Sequence, residues 1–296
     1  MIRLRVPATS ANMGSGFDCI GIALSLHNVV LMEENDHLDI TCKTGHAIAT
    51  GETNLIYSCV KRVFDIFGKP LRGLTLVEEC NIPMTRGLGS SSACTVAGLL
   101  GANELLGRPL SQQDIINLAA TIEGHPDNST PAIRGGFVAA LLENGKVWQV
   151  RVPISGRLCF CVLVPDFELK TEKARAILPE VVPRRDAVFN LSRAALLAGS
   201  LVAGDLHNIG VATDDRLHQP YRFSLIPEGE AVTNALRELG ALGVYISGAG
   251  PSIIAIVDCV DLTFESRVKA HFEAHFPRWT PMMLSCDEEG AVVEQV

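Results

Sequence analysis

The most informative part of the chain is the segment Pro83-Met84-Thr85-Arg86-Gly87-Leu88-Gly89-Ser90-Ser91-Ser92-Ala93. Its two glycines let the backbone approach a ligand closely and adopt dihedral angles that other residues avoid. Its three serines supply hydroxyl and amide donors, and a long apolar helix running to about Leu106 begins there. Free N–H groups at a helix start bind anions, helped by the helix dipole. The segment therefore predicts a phosphate-binding loop, called the phosphate loop below.

A simpler interpretation of these residues is a glycine turn followed by a serine N-cap, which is the commoner use of such a pattern. A cap does not need two glycines and three serines within six residues, and this density favours phosphate binding. The segment is not a Walker A loop, because no lysine follows the glycines. Phosphate charge must then be met by Mg²⁺, backbone amides and the helix dipole.

Length and composition narrow the class of protein. The 296 residues suffice for two domains or one large one, and 47% apolar with 20% charged residues is typical of a globular chain. The net charge of −8 argues against a nucleic-acid surface. We expect no membrane partner, since we find no apolar run of about 20 residues and no signal peptide. Nine cysteines without a C-x-x-C pair indicate a reducing, cytoplasmic location.

Hydrophobic periodicity predicts an α+β protein, a two-layer α/β arrangement with helices on one face of an antiparallel sheet. The predicted strands cover residues 1–6, 28–33, 38–41, 73–80, 136–142, 147–152, 158–164, 243–247 and 253–257. The predicted helices cover residues 54–67, 111–122, 184–203, 228–239 and 262–275, and a further helix follows the phosphate loop and ends near residue 106. The pattern changes near Pro153, which predicts two domains, residues 1–153 and 154–296.

Four segments together resemble the GHMP kinases. The phosphate loop is similar to their ATP-binding motif, and similar motifs occur at Val6–Asp18 and at Ser247–Ser252, in the family's order. The segment Glu-Gly-His-Pro-Asp-Asn at 123–128 resembles the homoserine kinase branch. This resemblance implies an S5-domain-2-like N-terminal domain that binds ATP, a ferredoxin-like C-terminal domain, and an active site in the cleft. It implies ATP-dependent phosphorylation of L-homoserine to O-phospho-L-homoserine for threonine biosynthesis, by a homodimer.

The resemblance also implies which residues hold the amino acid. Asn12 and Asp18 flank a glycine turn and would hold it, with Asp18 binding its ammonium group; an Asx turn capping its own backbone explains them equally well. Thr171, Arg175 and Arg222 match the family's carboxylate ligands, since two guanidinium groups can bind a carboxylate in bidentate fashion. Taken singly, either arginine is more often a solvated surface charge. The family usually has Leu and Pro where this chain has Met13 and Ser15, and neither change removes a polar contact.

The remaining implied roles concern Mg²⁺, ATP and the transferred phosphate. Glu123 and Ser91 would bind Mg²⁺, with Ser90 and Ser92 as close competitors. His125, Asp127 and Asn128 are the catalytic candidates; Asn128 would orient the hydroxyl, His125 would contact substrate, and Asp127 would be structural. The ATP-binding set adds Asn54, which an N-cap role explains equally well, to the loop residues Pro83, Met84, Thr85, Arg86, Gly87, Leu88, Gly89, Ser90, Ser91, Ser92 and Ala93.

Two other functions compete with this interpretation. One is a GHMP kinase for another small alcohol, such as mevalonate or a sugar; Asp18 and the paired arginines favour a zwitterionic amino acid. The other is a non-catalytic nucleotide sensor on the same fold, which the presence of Glu123 and Asn128 disfavours. Nucleic-acid binding by an S5-like domain lacks a basic or aromatic stripe.

Overall fold

The computed structural model describes residues 1–154 and 156–296. Its larger sheet has the strand order β11-β1-β2-β4-β3, and β5 pairs with β2 and β6. All neighbouring strands are antiparallel except β3 and β4. The strands are β1 (Ile2–Ala11), β2 (Ile20–Asn35), β3 (Leu38–Cys42), β4 (Gly73–Glu79), β5 (Phe137–Glu143), β6 (Lys146–Val152) and β11 (Val292–Gln295).

Four helices pack on this sheet: α1 (Leu55–Ile66), α2 (Ser90–Leu105), α3 (Gln112–Glu123) and α4 (Ser129–Arg134). The helix α2 is central, since it contacts β1, β2 and the other three helices. Its sequence is small and apolar, so it can be buried on most of its surface. This packing fixes the start of α2, and with it the phosphate loop, against the end of β1.

The smaller sheet contains β7 (Leu158–Pro165), β8 (Gly243–Ile246), β9 (Ile253–Asp258) and β10 (Trp279–Ser285), in the order β10-β7-β9-β8, all antiparallel. This is the ferredoxin-like order 4-1-3-2. The helices of this half are α5 (Thr171–Ala176), α6 (Arg184–Ala203), α7 (Ile209–Ala212), α8 (Gln219–Arg222), α9 (Gly229–Glu238) and α10 (Phe264–His275), with 3₁₀ turns at Leu206–Asn208 and Phe223–Leu225.

Both faces of the smaller sheet are buried, and alternate residues of each strand enter different cores. Phe160 and Ile254 belong to the large core, which extends through the first half of the chain. Leu163 and Ile253 belong to a second core with α9 and α10. The large core is therefore shared by the first half of the chain and the smaller sheet.

The α+β class and the ferredoxin-like second half are confirmed. The sequence pattern did not predict β10 or β11, because Pro281 interrupts the first and the second is only four residues long. The strand β11 returns to the larger sheet beside β1, with Ile2 opposite Gln295. The division of domains at residue 153 stays a prediction.

Two further features were not expected from the sequence. Cys159 and Cys259 form a disulfide across 100 residues, which departs from the expectation of reduced thiols, whereas Cys161 is a buried free thiol. The helix α6 is long and apolar enough, by length and composition alone, to cross a membrane. A single helix of this kind also occurs in the cores of folded domains.

Asp287 fixes the chain between β10 and β11. It accepts hydrogen bonds from His27 Nε2 (2.6 Å) and from the N–H groups of Glu289 (3.0 Å) and Gly290 (2.6 Å). Burial alone would raise the pKa of Asp287, but these hydrogen bonds outweigh it and hold the pKa below its usual range.

We therefore expect Asp287→Asn to lower the free energy of unfolding at pH 7 by roughly 2–4 kcal/mol. A carboxyl with a depressed pKa stabilises the fold above its unfolded pKa of about 3.9, and this contribution is lost as the pH falls through the folded pKa. The difference between variant and wild type in urea unfolding should thus shrink below about pH 4. Asp65→Asn, at an exposed ion pair with Lys61, should cost less than about 1 kcal/mol. Equal losses in both variants would contradict this account.

Candidate active site

A cavity of about 400 Å³ lies between the two halves of the chain. We call it the central cavity. It gathers most of the predicted site residues, although they come from five separate segments. Those that line it are Asn12, Asp18, Thr85, Arg86, Gly87, Gly89, Ser90, Ser91, Ser92, Glu123, His125, Asp127, Asn128, Thr171, Arg175 and Arg222. Sequence reasoning did not single out Leu55, Thr95, Ile122 or Glu172, which also line it.

The phosphate loop presents the start of α2 to this cavity. Gly89 is the N-cap in a left-handed conformation (φ +69°), and no side chain caps the helix. The first intrahelical bond runs from Ala93 N–H to Gly89 O (2.8 Å), so the N–H groups of the three serines before it have no intrahelical acceptor. In the described part of the chain no lysine lines the cavity. The loop can therefore bind an anion through amides and the helix dipole.

The late glycine motif, Ser247–Ser252, packs directly against the phosphate loop. The Ser247 hydroxyl donates to Gly87 O (2.6 Å), and Ser252 N–H donates to Arg86 O (3.2 Å). A Cβ on Gly87 would lie 2.3 Å from Ser247 O, so only glycine fits this contact. The motif thus shapes the loop from the second half of the chain.

Glu123 is a partly buried carboxylate in contact with the phosphate loop. Its Oε2 accepts a hydrogen bond from Ser92 Oγ (2.9 Å), whereas the buried Oε1 has no partner in the described residues. Burial raises the pKa of Glu123 to about 7. An orphaned carboxylate oxygen beside a serine hydroxyl is an oxygen donor set that suits Mg²⁺. The serine that contacts Glu123 is Ser92. Ser91, the predicted ligand, precedes it on the helix and is exposed.

His125 and Asp127 form a pair next to this carboxylate. His125 Nδ1 and Asp127 Oδ1 are 2.6 Å apart. Burial lowers the pKa of His125, but the hydrogen bond and charge of Asp127 outweigh it and raise the pKa. Together with Asp18 they place three ligand atoms within 4.8 Å of one another, a second position at which a cation could be held. Both carboxylates already have N–H partners, which makes Glu123 the better candidate.

Asn128 is held with its side chain toward the cavity. It occupies the N-cap position of α4 without making a capping bond, and its Oδ1 accepts from Thr9 Oγ1 (2.9 Å). Its amide N–H groups have no acceptor among the described residues, so they can donate to a ligand. Sequence reasoning did not single out Thr9, although it belongs to the Val6–Asp18 motif.

Asp18 and Arg175, which the sequence assigns to opposite ends of one substrate, are paired with each other. Two nitrogens of Arg175 contact the Asp18 carboxylate at 2.7 and 3.1 Å. This hydrogen bonding raises the pKa of Arg175. A zwitterion with adjacent ammonium and carboxylate groups is complementary to this pair, because its ammonium group can face Asp18 and its carboxylate can face Arg175.

Arg222 is a buried cation with no carboxylate partner in the described chain. It is 1% exposed, and it makes no ion pair within 4.0 Å. Its Nη1 donates to Gly248 O (2.8 Å) and its Nε to Ala174 O (3.3 Å). Burial and the charge of Arg175 lower its pKa to about 10, so it stays protonated at neutral pH. A buried, unpaired guanidinium at a cavity wall is suited to bind an anion.

Some predicted residues take structural positions instead. Asn54 does not line the cavity; its Oδ1 caps α1 and its Nδ2 donates to buried Glu78 (2.8 Å). Arg86 lines the cavity, but its guanidinium binds Pro165 O (3.0 Å) and Met84 O (3.1 Å) and so ties the loop to β7. The remaining predicted loop residues that do not line the cavity are Pro83, Met84, Leu88 and Ala93.

Asn12 also lines the cavity, but its side chain is hydrogen-bonded to backbone groups. Its Nδ2 donates to Gly248 O (2.8 Å) and its Oδ1 accepts from Asp18 N–H (2.9 Å). Both Asn12 and Asp18 have left-handed backbones, with φ of +69° and +56°. Asn12 therefore orders the turn that presents Asp18, through a bond to an N–H six residues along the chain.

The chain is similar to known proteins of one family over its whole length. The GHMP kinases N terminal domain family matches residues 54–136, and the GHMP kinases C terminal family matches residues 195–271. Homoserine kinases from Caldicellulosiruptor saccharolyticus and Clostridium botulinum are 47% and 42% identical, covering 100% and 99% of this chain and 97% and 98% of theirs. The structure of homoserine kinase from Cytophaga hutchinsonii superposes with a TM-score of 0.86 at 28% identity, covering 99% of this chain and 97% of that one. The chain belongs to the homoserine kinase family of the GHMP kinases.

Proposed function

We propose that the chain transfers the γ-phosphate of ATP to the hydroxyl of L-homoserine, giving O-phospho-L-homoserine for threonine biosynthesis. The observation that carries this proposal is Arg222, a buried guanidinium that has no carboxylate partner among the described residues and that lines the same cavity as the phosphate loop. A substrate that satisfies it must carry an anionic group at one end and reach the loop with the other. The carboxylate and hydroxyl of homoserine meet both requirements.

The pair Asp18–Arg175 is the proposed recognition site for the ammonium group. Homoserine would bind its ammonium to Asp18 and its carboxylate to Arg175 and Arg222, with the Thr171 hydroxyl nearby. Asp18 would exchange the Arg175 guanidinium for the ammonium group, and Arg175 would exchange the Asp18 carboxylate for that of the substrate. Binding therefore leaves neither charge unpaired. Neutral alcohols such as sugars cannot make this exchange.

Mg²⁺ is the proposed metal, with Glu123 and the serine hydroxyls of the phosphate loop as its ligands. The unpartnered Oε1 of Glu123 supports this assignment. Held by these residues, Mg²⁺ would neutralise part of the negative charge of the ATP phosphates. The N–H groups at the start of α2 would bind the remaining phosphate oxygens.

The proposed mechanism uses positioning and charge rather than a strong base. A loose, metaphosphate-like transition state requires little deprotonation of the attacking hydroxyl beforehand. Asn128 would orient that hydroxyl, and the Asp127 carboxylate would hold His125. The contact between Asp127 and His125 at 2.6 Å supports a structural role for this aspartate.

Asn128→Ala should reduce kcat by about 30–100-fold with little change in the KM for ATP, because the hydroxyl loses its orienting contact. Asp127→Asn should keep activity within about tenfold, since Asn can still accept a hydrogen bond from His125. Steady-state kinetics of both variants checks this pair of expectations. The reverse order of effects would identify Asp127 as a general base.

The function is tested by ADP release in a coupled assay with homoserine, mevalonate and galactose as acceptors. We expect ADP release with homoserine as the acceptor and none with mevalonate or galactose. Turnover only with mevalonate or galactose would favour the other kinases of the superfamily, and tight ATP binding without turnover on any alcohol would favour a nucleotide sensor.

The predicted homodimer and cytoplasmic location stay predictions. One face of α6 carries exposed apolar side chains at Val188, Leu191 and Val202, whose spacing places them on the same side of the helix. This face supports the proposal of a second subunit.

A further inference from the structure

His218 contacts Arg222 but does not line the central cavity, and the proposed mechanism assigns it no role. Its side chain is fully buried, just before α8. Its Nε2 is 2.8 Å from Gly14 O, and its Nδ1 is 3.0 Å from Arg222 Nη1. The imidazole therefore links the glycine turn of the Val6–Asp18 motif to the guanidinium of Arg222.

These two contacts define the protonation state of His218. A carbonyl oxygen only accepts, so Nε2 must carry the proton that it donates to Gly14. A guanidinium only donates, so Nδ1 must be the unprotonated acceptor for Arg222. His218 is thus neutral and in a single tautomer. Burial lowers its pKa to about 4, in agreement with this assignment.

The same contacts fix the plane of the Arg222 guanidinium. One proton of Nη1 is bound by His218 Nδ1 and the other by Gly248 O (2.8 Å), while Nε donates to Ala174 O (3.3 Å). Among the described residues no acceptor is bound to Nη2. The free edge of the guanidinium is therefore the part that remains for a ligand at the cavity wall.

The structure holds His218 rigidly in this place. Its own N–H and that of Gln219 donate to the buried Asp215 carboxylate, at 2.9 and 2.6 Å. Its ring stacks on Phe17, with centroids 5.2 Å apart, and the Arg222 guanidinium lies 5.4 Å from the same ring. A side chain held so firmly can orient a neighbouring flexible one.

We infer that His218 is a positioning residue for substrate recognition: as a neutral acceptor it orients Arg222 so that the free edge of the guanidinium meets the substrate carboxylate. This inference rests on the proposed function, in which Arg222 binds the carboxylate of homoserine. It assigns to His218 a role in the KM for homoserine and none in phosphate transfer.

The test compares two substitutions at this position. His218→Leu keeps the site buried but removes the acceptor, and it should raise the KM for homoserine by about 10–30-fold. The kcat and the KM for ATP should stay within about threefold. His218→Asn places an amide oxygen near the position of Nδ1 and should restore the KM for homoserine to within about threefold of wild type.

Two further measurements separate positioning from general stability. In an Arg222→Met background, His218→Leu should add no further increase in KM, since its effect passes through Arg222. With 3-aminopropan-1-ol, which is homoserine without its carboxylate, kcat/KM should be the same for wild type and His218→Leu. His27→Leu is the control for stability: this histidine contacts Arg5 and Asp287 away from the cavity, so its loss should lower the melting temperature but leave both KM values unchanged.

Several results would overturn the inference. These are an unchanged KM for homoserine in His218→Leu, an Asn variant as impaired as the Leu variant, or equal increases in the KM for homoserine and ATP. Additive effects of the His218 and Arg222 substitutions would also contradict it. A wild-type chain that released no ADP with homoserine would contradict the proposed function itself, and this inference with it.

Discussion

Glu123→Gln is expected to reduce kcat/KM by roughly 1000-fold while leaving the fold intact or more stable. Glu123 is a buried acid whose Oε1 has no hydrogen-bond partner in the described chain, and whose Oε2 accepts from Ser92. Gln keeps the volume but removes the negative charge that Mg²⁺ requires. Because a buried, half-satisfied charge destabilises a fold, its removal should not lower the melting temperature.

The raised pKa of Glu123 predicts how the difference in stability between wild type and the Gln variant changes with pH. Burial raises the pKa of Glu123 to about 7, above its unfolded value of about 4.3. The protonated acid is thus favoured in the fold; its contribution is fully present below about pH 4 and is lost as the pH rises through 7. Without Mg²⁺, the Gln variant should therefore gain stability over wild type above pH 7, and added Mg²⁺ should narrow the gap.

Glu104→Gln is the control for this substitution. Glu104 lies on α2, as Ser92 does, but near the opposite end, where it binds Arg108 and Gln295. Its variant should keep full activity. The account of Glu123 would be wrong if its Gln variant kept near wild-type turnover, or if the loss of activity came with a lower melting temperature.

Gly87→Ala should reduce kcat/KM by roughly 100–1000-fold, because it displaces the phosphate loop. The backbone of Gly87 is left-handed (φ +74°), and a Cβ would lie 2.3 Å from Ser247 O and 2.8 Å from Gly250 O. Both neighbours are backbone atoms, so neither can move aside cheaply. The loop must shift away from the late glycine motif, and the amides at the start of α2 shift with it.

Gly145→Ala separates this displacement from ordinary backbone strain. Gly145 has nearly the same φ (+75°), yet a Cβ there meets nothing within 4 Å, in the hairpin between β5 and β6. Both substitutions carry a strain of roughly 1 kcal/mol, and only the one in the phosphate loop should affect turnover. Kinetic constants and melting curves for the two variants provide the comparison. Similar activity in both would show that the loop tolerates displacement.

The sequence predicted the turn and the helix start at residues 83–93 because that signal is local, and phosphate binding there stays a prediction. A dense run of Gly and Ser marks a turn before a helix in almost any tertiary context, and the helix here begins at Ser90. The hairpin at Asn144-Gly145 was predicted for the same reason, and both residues have positive φ.

The details that the sequence did not predict depend on distant partners. Successive helix positions differ by about 100°, so only the packing of α2 on α3 decides that Ser92, rather than Ser91, contacts Glu123. The pairing of Asp18 with Arg175 joins residues 157 positions apart. Spacing along the chain could identify each charge as a candidate, but only the fold shows that they contact each other.

The central claim is that ATP and an amino acid meet in one cavity, with phosphates at the start of α2 and a carboxylate on Arg222. A crystal structure with Mg²⁺, a non-hydrolysable ATP analogue and homoserine measures this directly. We predict phosphate oxygens against the amides of residues 87–92, and the homoserine carboxylate on Arg222 with its hydroxyl beside Asn128. A triphosphate bound elsewhere, or homoserine with its carboxylate turned away from Arg222, would contradict the account.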